Sequence, residues 1–246
     1  MADIAIIGGT GLTSLKNLAI TERQILQTPF GEPSGPITRG VLNGKEVVFL
    51  ARHGYGHTIP PHKINYRANL WTLKEIGIKR VIAVAAVGGI RADLAPGSIV
   101  IPDQIIDYTW SRNATYFDEG LSHVTHIDFS YPYCEELRQA LLAAAKRASL
   151  AVAASGTYGA TQGPRLETAA EVNRLERDGC DMIGMTGMPE AALARELDLC
   201  YASCAVVANQ AAGRGPSEIT MQDIERNLSA GMDKVRALLE SVIPVL

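Results

Sequence analysis

The chain has no run of lysine or arginine, no apolar stretch long enough to cross a bilayer, no C-x-x-C pair, no Pro-rich linker and no internal repeat. Each absence removes a class of function. Without a basic run, and with a formal charge of -3 over 246 residues, neither nucleic acid nor an anionic membrane is expected as the main partner. Met1-Ala2-Asp3 leads directly into the apolar run Ile4-Ala5-Ile6-Ile7 with no basic segment before it, so a cytoplasmic location is expected. Cys134, Cys180, Cys200 and Cys204 are expected as buried thiols, because a chain of this size does not need disulfide staples. What remains is 47% hydrophobic and 20% charged, enough to bury the core of one large domain spanning residues 1–246 and to carry a small-molecule site.

Short apolar runs bounded by glycine or polar turns recur at Ile4 to Ile7, Val47 to Ala51, Val81 to Val87, Ile99 to Ile101, Ala151 to Ala154, Met182 to Met185 and Cys204 to Ala208, and read as buried strands. Helical spacing falls between them at Ile64 to Ile76, Glu135 to Ala148, Thr168 to Arg177, Glu190 to Glu196 and Ile219 to Val242, the last introduced by Ser217-Glu218 and followed by Pro244. The alternation predicts an α/β domain with a mixed central sheet flanked by helices. Function is then expected in loops at strand ends.

Several strand ends carry residues suited to a ligand. Gly8-Gly9-Thr10-Gly11 follows the first strand, where glycine lets backbone approach an anion and Thr10 adds a hydroxyl. A dinucleotide fingerprint read from Gly9 and Gly11 fails, because Ser14 stands where its third glycine belongs. Ala51-Arg52-His53-Gly54 sets a guanidinium beside an imidazole, a phosphate-binding combination. His57 and His62 follow, but the histidine spacing fits no helix face and no Cys or carboxylate completes a site, so no metal is expected. Val84-Ala85-Ala86-Val87-Gly88-Gly89 runs a strand into a small-residue turn that suits either a ligand or close packing. Gly163-Pro164-Arg165-Leu166-Glu167-Thr168 opens a helix, and a carboxylate such as Glu167 at a helix start is ordinarily a cap. Met185-Thr186-Gly187 ends a strand before another helix, and Val206-Val207-Ala208-Asn209 ends a strand on an amide.

Taken together, these motifs resemble the trimeric purine nucleoside phosphorylases and methylthioadenosine phosphorylases, from Ile6 to Pro244. The most specific stretches are Leu50 to Gly54 with Asn65-Tyr66 and Ala68-Asn69, Gly163-Pro164-Arg165, and Met185-Thr186 before Pro189-Glu190. The resemblance implies phosphorolysis, with inorganic phosphate as co-substrate and no cofactor. It implies that Thr10, Arg52, His53 and Thr186 bind phosphate, that Met185 lies under the ribose, and that Asn209 faces the purine as the catalytic group. Methylthioadenosine phosphorylases carry threonine where this chain has Ala85, so that phosphate contact is expected to be absent or made by backbone around Ala86.

The same resemblance implies a substrate. Adenine-reading relatives carry aspartates at the positions of Asn209 and Ala211, whereas an amide can donate to a 6-carbonyl and accept from a protonated N7. Glu167, which follows Leu166 in a Gly-Pro-x-x-Glu-Thr pattern like that of 6-oxopurine phosphorylases, would accept from N1–H. Ile224 stands where inosine-cleaving relatives present a histidine to the 5′-hydroxyl, and with Met221 one turn earlier it predicts an apolar 5′ pocket suited to a thioether. His126 matches a residue that reaches the neighbouring subunit's 5′ pocket in a homotrimer. The expected substrate is S-methyl-5′-thioinosine, with methylthioadenosine, or inosine and guanosine, as alternatives. A hydrolytic nucleosidase and a protein that binds nucleoside or NAD without cleaving it are the competing classes.

Overall fold

The computed structural model describes residues 2–120, 122–215 and 219–246. The first apolar run forms β1 (Ile4–Gly8), buried throughout, as a strand covered on both faces requires. An exposed strand, β2 (Ala19–Gln24), then β3 (Ile37–Leu42) and β4 (Lys45–Ala51) follow. Helix α1 (Tyr66–Glu75) starts where the Asn65 side chain accepts from the Ala68 N–H. The remaining order is β5 (Arg80–Gly89), β6 (Ile99–Val100), β7 (Gln104–Asp107), α2 (Glu135–Arg147), β8 (Val152–Ala153), β9 (Thr157–Ala160), α3 (Ala169–Arg177), β10 (Met182–Gly184), α4 (Gly187–Glu196), β11 (Cys200–Gln210) and α5 (Met221–Val242).

The strands make one mixed sheet in the order β2-β3-β4-β1-β5-β10-β9-β7, with β11 between β5 and β6, and β8 beyond β6. Strand alternation sends successive side chains to opposite faces. On one face Ala5, Ile7, Val81 and Ala83 pack under Leu70 and Leu73 of α1 and Leu193 of α4. On the other, Ile4, Ile6, Ile82 and Val84 pack under Leu137 and Leu141 of α2 and Leu228, Met232 and Val235 of α5. The α5 apolar residues recur at helical spacing because only one stripe of that helix is covered.

β5 organises the site. Along one edge it pairs with β11 over its whole length. Along the other, residues 80–83 pair with β1 and Gly88 and Gly89 pair with β10, running the opposite way. Residues 84–87 therefore have no ladder partner on that edge among the described residues.

Several elements differ from the sequence-based expectation. β2, β3, β7 and β9 carried no apolar run that marks a buried strand. β2 is exposed at every position, and β7 and β9 are four residues each, punctuated by polar or glycine residues. α4 begins at Gly187, before the expected Glu190, although Met188 within it is non-helical. α5 is capped by Thr220, whose side chain accepts from the Asp223 N–H, and the expected start at Ser217-Glu218 lies outside the described residues. The cysteine expectation is corrected. Cys134 and Cys200 form a disulfide with Cα atoms 5.0 Å apart, while Cys180 and Cys204 are buried free thiols. Packing of α2 on β11, with the Cys134 N–H donating to Tyr201 O, joins positions 66 residues apart, which spacing along the chain does not reveal.

Candidate active site

At the open stretch of β5 the structure holds a cavity of about 560 Å³, within the usual range for small-ligand sites. Its walls are the ends of β1, β4, β5, β10 and β11 with the start of α5, so every expected strand-end motif meets here.

One end is built for an anion. The turn after β1 closes with the Leu12 N–H donating to Gly9 O, and Gly11 has φ +82, which favours glycine. A Cβ on Gly9 would stand 2.5 Å from Val84 O and 2.9 Å from Arg52 Nη1, so only glycine lets this turn lie against β5. Thr10 Oγ1 lies 3.0 Å from His57 Nε2. Arg52 is 1% exposed, and Nε and Nη2 clamp Glu190 at 2.6 and 2.8 Å while Nη1 donates to Val84 O at 2.9 Å. Burial alone would disfavour the Arg52 charge, but the Glu190 carboxylate more than offsets it and holds the guanidinium above its ordinary range. The sequence expectation is thereby refined. The fork itself is committed to Glu190, and one N–H on each terminal nitrogen is left for a ligand.

His53 completes this end. Its Nδ1 lies 2.8 Å from Ile59 O, a pure acceptor, so Nδ1 carries the hydrogen and Nε2 is free to accept. Burial, and then the neighbouring Arg52 charge, push its pKa down to about 4, which keeps the ring neutral. Thr186 precedes α4 with its hydroxyl uncommitted to a cap. Val84 O faces the open edge, and strand alternation turns the Ala86 amide to the same edge, while Ala85 contributes only a methyl. Two hydroxyls, two residual guanidinium N–H groups and an imidazole therefore converge here, and no carboxylate lines the cavity among the described residues.

The other end is more open. Leu166 is 43% exposed on one side, with Met185 opposite the glycine turn at Gly163. Asn209 sits where β11 departs from regular register, and its Nδ2 donates to Gln210 O at 2.7 Å. That bond fixes which way the amide lies, leaving one N–H and Oδ1 for a ligand. Ile224 (9% exposed) and Met221 (65% exposed) form an apolar wall from α5.

Three expected residues are not brought to this cavity. Glu167 borders a separate, more polar cavity of about 510 Å³ beside Tyr108 and Trp110, and accepts from Thr161 Oγ1 at 2.6 Å. Ala211 is buried with Ile90, Val172 and Ile183, because its N–H pairs with Gly89 O and turns its methyl toward α3. His126 is exposed and away from the cavity of its own chain. Conversely, Glu190 and His57 were not singled out as functional. A carboxylate inside the apolar run Gly187-Met188-Pro189-Glu190-Ala191 was the available signal, since a buried carboxylate needs a partner. Tyr201 Oη also donates to Glu190, at 2.8 Å.

The chain matches the model of the Phosphorylase superfamily over residues 3–244. It is 54% identical over 243 residues, covering 99% of both chains, to a Pseudomonas syringae pv. tomato protein named "Probable S-methyl-5'-thioinosine phosphorylase". It is 46% identical to the "6-oxopurine nucleoside phosphorylase" of Pyrococcus furiosus, covering 100% of this chain and 94% of that one. Among solved structures, methylthioadenosine phosphorylase from Schistosoma mansoni in complex with adenine superposes with a TM-score of 0.95 at 32% identity, covering 100% of this chain and 92% of that one. A glycine turn, a buried Arg52–Glu190 pair and a strand-end amide on one cavity thus coincide with full-length similarity, and the chain belongs to the phosphorylase superfamily.

Proposed function

We propose that this protein cleaves S-methyl-5′-thioinosine with inorganic phosphate, giving hypoxanthine and 5-methylthioribose 1-phosphate. The observation that carries the reading is one continuous cavity joining the anion end to the Asn209 amide, with the apolar Ile224 wall beside it. A phosphate oxygen forms the bond to C1′ as the C1′–N9 bond breaks, and the electron pair leaves on the purine. The proton that monohydrogen phosphate gives up as it becomes the sugar phosphate dianion ends, through solvent, on N7. Thr10, the residual Arg52 N–H groups, His53 Nε2, Thr186 and the Ala86 backbone hold the phosphate, a hydrogen-bearing phosphate oxygen meeting the imidazole. Met185 lies under the sugar and Leu166 against the base. Asn209 donates to O6 and accepts from N7–H, stabilising charge that develops on the leaving purine. Glu167 borders the adjoining cavity and has to turn toward the base to accept from N1–H, with Oε2 free of the Thr161 bond.

No cofactor is required in this scheme. We assign the protein to the cytoplasm as a homotrimer in which His126 of each copy approaches a neighbour's 5′ pocket; light scattering tests the assembly. The activity is tested by offering methylthioinosine, methylthioadenosine, inosine and adenosine in parallel, with and without phosphate. Methylthioinosine should give the highest kcat/KM, and only with phosphate. Equal or better turnover of methylthioadenosine overturns the base assignment, equal turnover of inosine overturns the 5′ assignment, and base release without phosphate makes the protein a hydrolase.

A further inference from the structure

Arg112 lies outside the cavity, in the segment after β7, yet its guanidinium bonds the Met185 carbonyl of one wall and the Thr161-Gln162 turn that leads into the other. Nη1 donates to Met185 O at 2.8 Å and Met188 O at 2.6 Å, in the turn that carries Thr186 into α4. Nη2 donates to Gln162 O at 2.8 Å and Thr161 O at 3.3 Å, and Nε to Gln162 Oε1 at 3.2 Å, in the turn that leads to Pro164 and Leu166. The Tyr66 hydroxyl lies 3.3 Å from Nη1, and the guanidinium carbon stands 5.6 Å from the Tyr66 ring centroid.

All these acceptors are neutral, so the bonds leave the Arg112 charge intact behind the anion end. They also turn the Met185 and Met188 carbonyls, which would repel an anion, away from the cavity. A guanidinium offers donors in a rigid planar fork, whereas an ammonium is a single point that cannot span two turns. A purely structural arginine would be expected to tie one loop to its own neighbourhood. Arg112 instead joins the wall bearing Met185 and Thr186 to the wall bearing Leu166, which are separated by β10 and α3 in sequence.

We propose that Arg112 is a positioning residue that locks the phosphate-and-sugar wall to the base wall, so that phosphate and nucleoside are held in one reactive geometry. This rests on the phosphorolytic reading of the cavity. Because displacement of a reacting group by about 1 Å can cost about 100-fold in rate, Arg112→Ala is expected to lose about 100-fold in kcat/KM with the fraction of folded protein unchanged. The loss should appear in kcat and in the KM values for both phosphate and nucleoside, and binding of phosphate should no longer tighten binding of hypoxanthine in titration calorimetry.

Guanidinium or methylguanidinium added to Arg112→Ala should restore kcat, equal ammonium should not, and Arg112→Lys should be as impaired as Arg112→Ala. If Arg112→Ala does not fold, Gln162→Leu removes one acceptor without burying a charge, and a loss of about 10-fold with the same split between kcat and both KM values supports the proposal. Lower thermal stability with unchanged kinetic constants per folded molecule overturns it, as does equal rescue by ammonium. A wild-type protein that turns over no purine nucleoside with phosphate overturns the phosphorolytic reading and this proposal together. An active wild type with unaltered variants overturns this proposal alone.

Discussion

The two ends of the cavity are built differently. At the anion end Arg52, His53 and Thr186 are all buried and all three are already bonded to the protein, to Glu190, to Ile59 O and to Tyr158 Oη. At the base and sugar end Leu166 and Met221 are largely exposed, and Asn209 makes a single local bond. The first end is therefore stabilised by the fold and constrained by it, whereas the second can be altered with little structural cost. Chemistry common to a family fits the first kind of site, and substrate choice fits the second.

The sharpest way to break this contrast is Glu190→Ala. It leaves the Arg52 charge buried without its carboxylate, and we expect a loss of about 3–5 kcal/mol in urea unfolding together with a raised KM for phosphate. A loss below about 1 kcal/mol would mean that the anion end is not prepaid by the ion pair.

The next effect is a pH dependence. His53 has a pKa of about 4 in the folded chain and titrates near 6.5 when unfolded, so between these values the unfolded chain binds a proton that the folded chain does not. Its contribution to stability is complete above pH 6.5 and is lost as the pH falls toward 4, by about 3 kcal/mol at most. His53→Gln should flatten that limb of the stability profile, measured by urea midpoints from pH 4 to 7. An unchanged slope would place the acid sensitivity elsewhere.

The open end predicts a change of preference at a stability cost of about 1–2 kcal/mol, because an aspartate at 209 cannot donate to Gln210 O. Asn209→Asp removes the donor to O6 and supplies an acceptor for a 6-amino group, and should shift the kcat/KM ratio toward methylthioadenosine by about 10- to 100-fold. An unshifted ratio in the folded variant would move base discrimination to Glu167, which borders the adjoining cavity and would have to turn toward the base to exert it.

The residues that line the anion end were legible only together, through the resemblance that several motifs carry in order, because a turn such as Gly8-Gly9-Thr10-Gly11 suits close packing as well as a ligand. Glu190 escaped because its partner lies 138 residues away, and only the sheet order brings β4 and α4 together. Ala211 and Glu167 lie off this cavity for a related reason. The β11 irregularity at Asn209 and the Thr161 hydroxyl decide which way those side chains turn, and neither leaves a pattern along the chain. Arg112 had no signal at all, being one arginine in the polar stretch Ser111-Arg112-Asn113. β1, β4, β5, β10 and β11 were legible from apolar runs, whereas β2, exposed at every position, and β3 and β9, covered but interrupted by threonine and glycine, were not.

The smallest expected effect separates the two apolar residues of the 5′ wall. Ile224→Val removes one methylene from a residue only 9% exposed, and at about 0.8 kcal/mol per methylene the preference for methylthioinosine over inosine should fall about fourfold. Met221, at 65% exposed, offers little desolvated surface within one chain, so Met221→Ala should change that ratio less than Ile224→Val does. A larger effect from Met221 requires that a second copy covers it. In that case His126→Ala should move the same ratio and dilution below the assembly threshold should abolish the difference, which makes the most exposed wall of the cavity the one that reports on its neighbour.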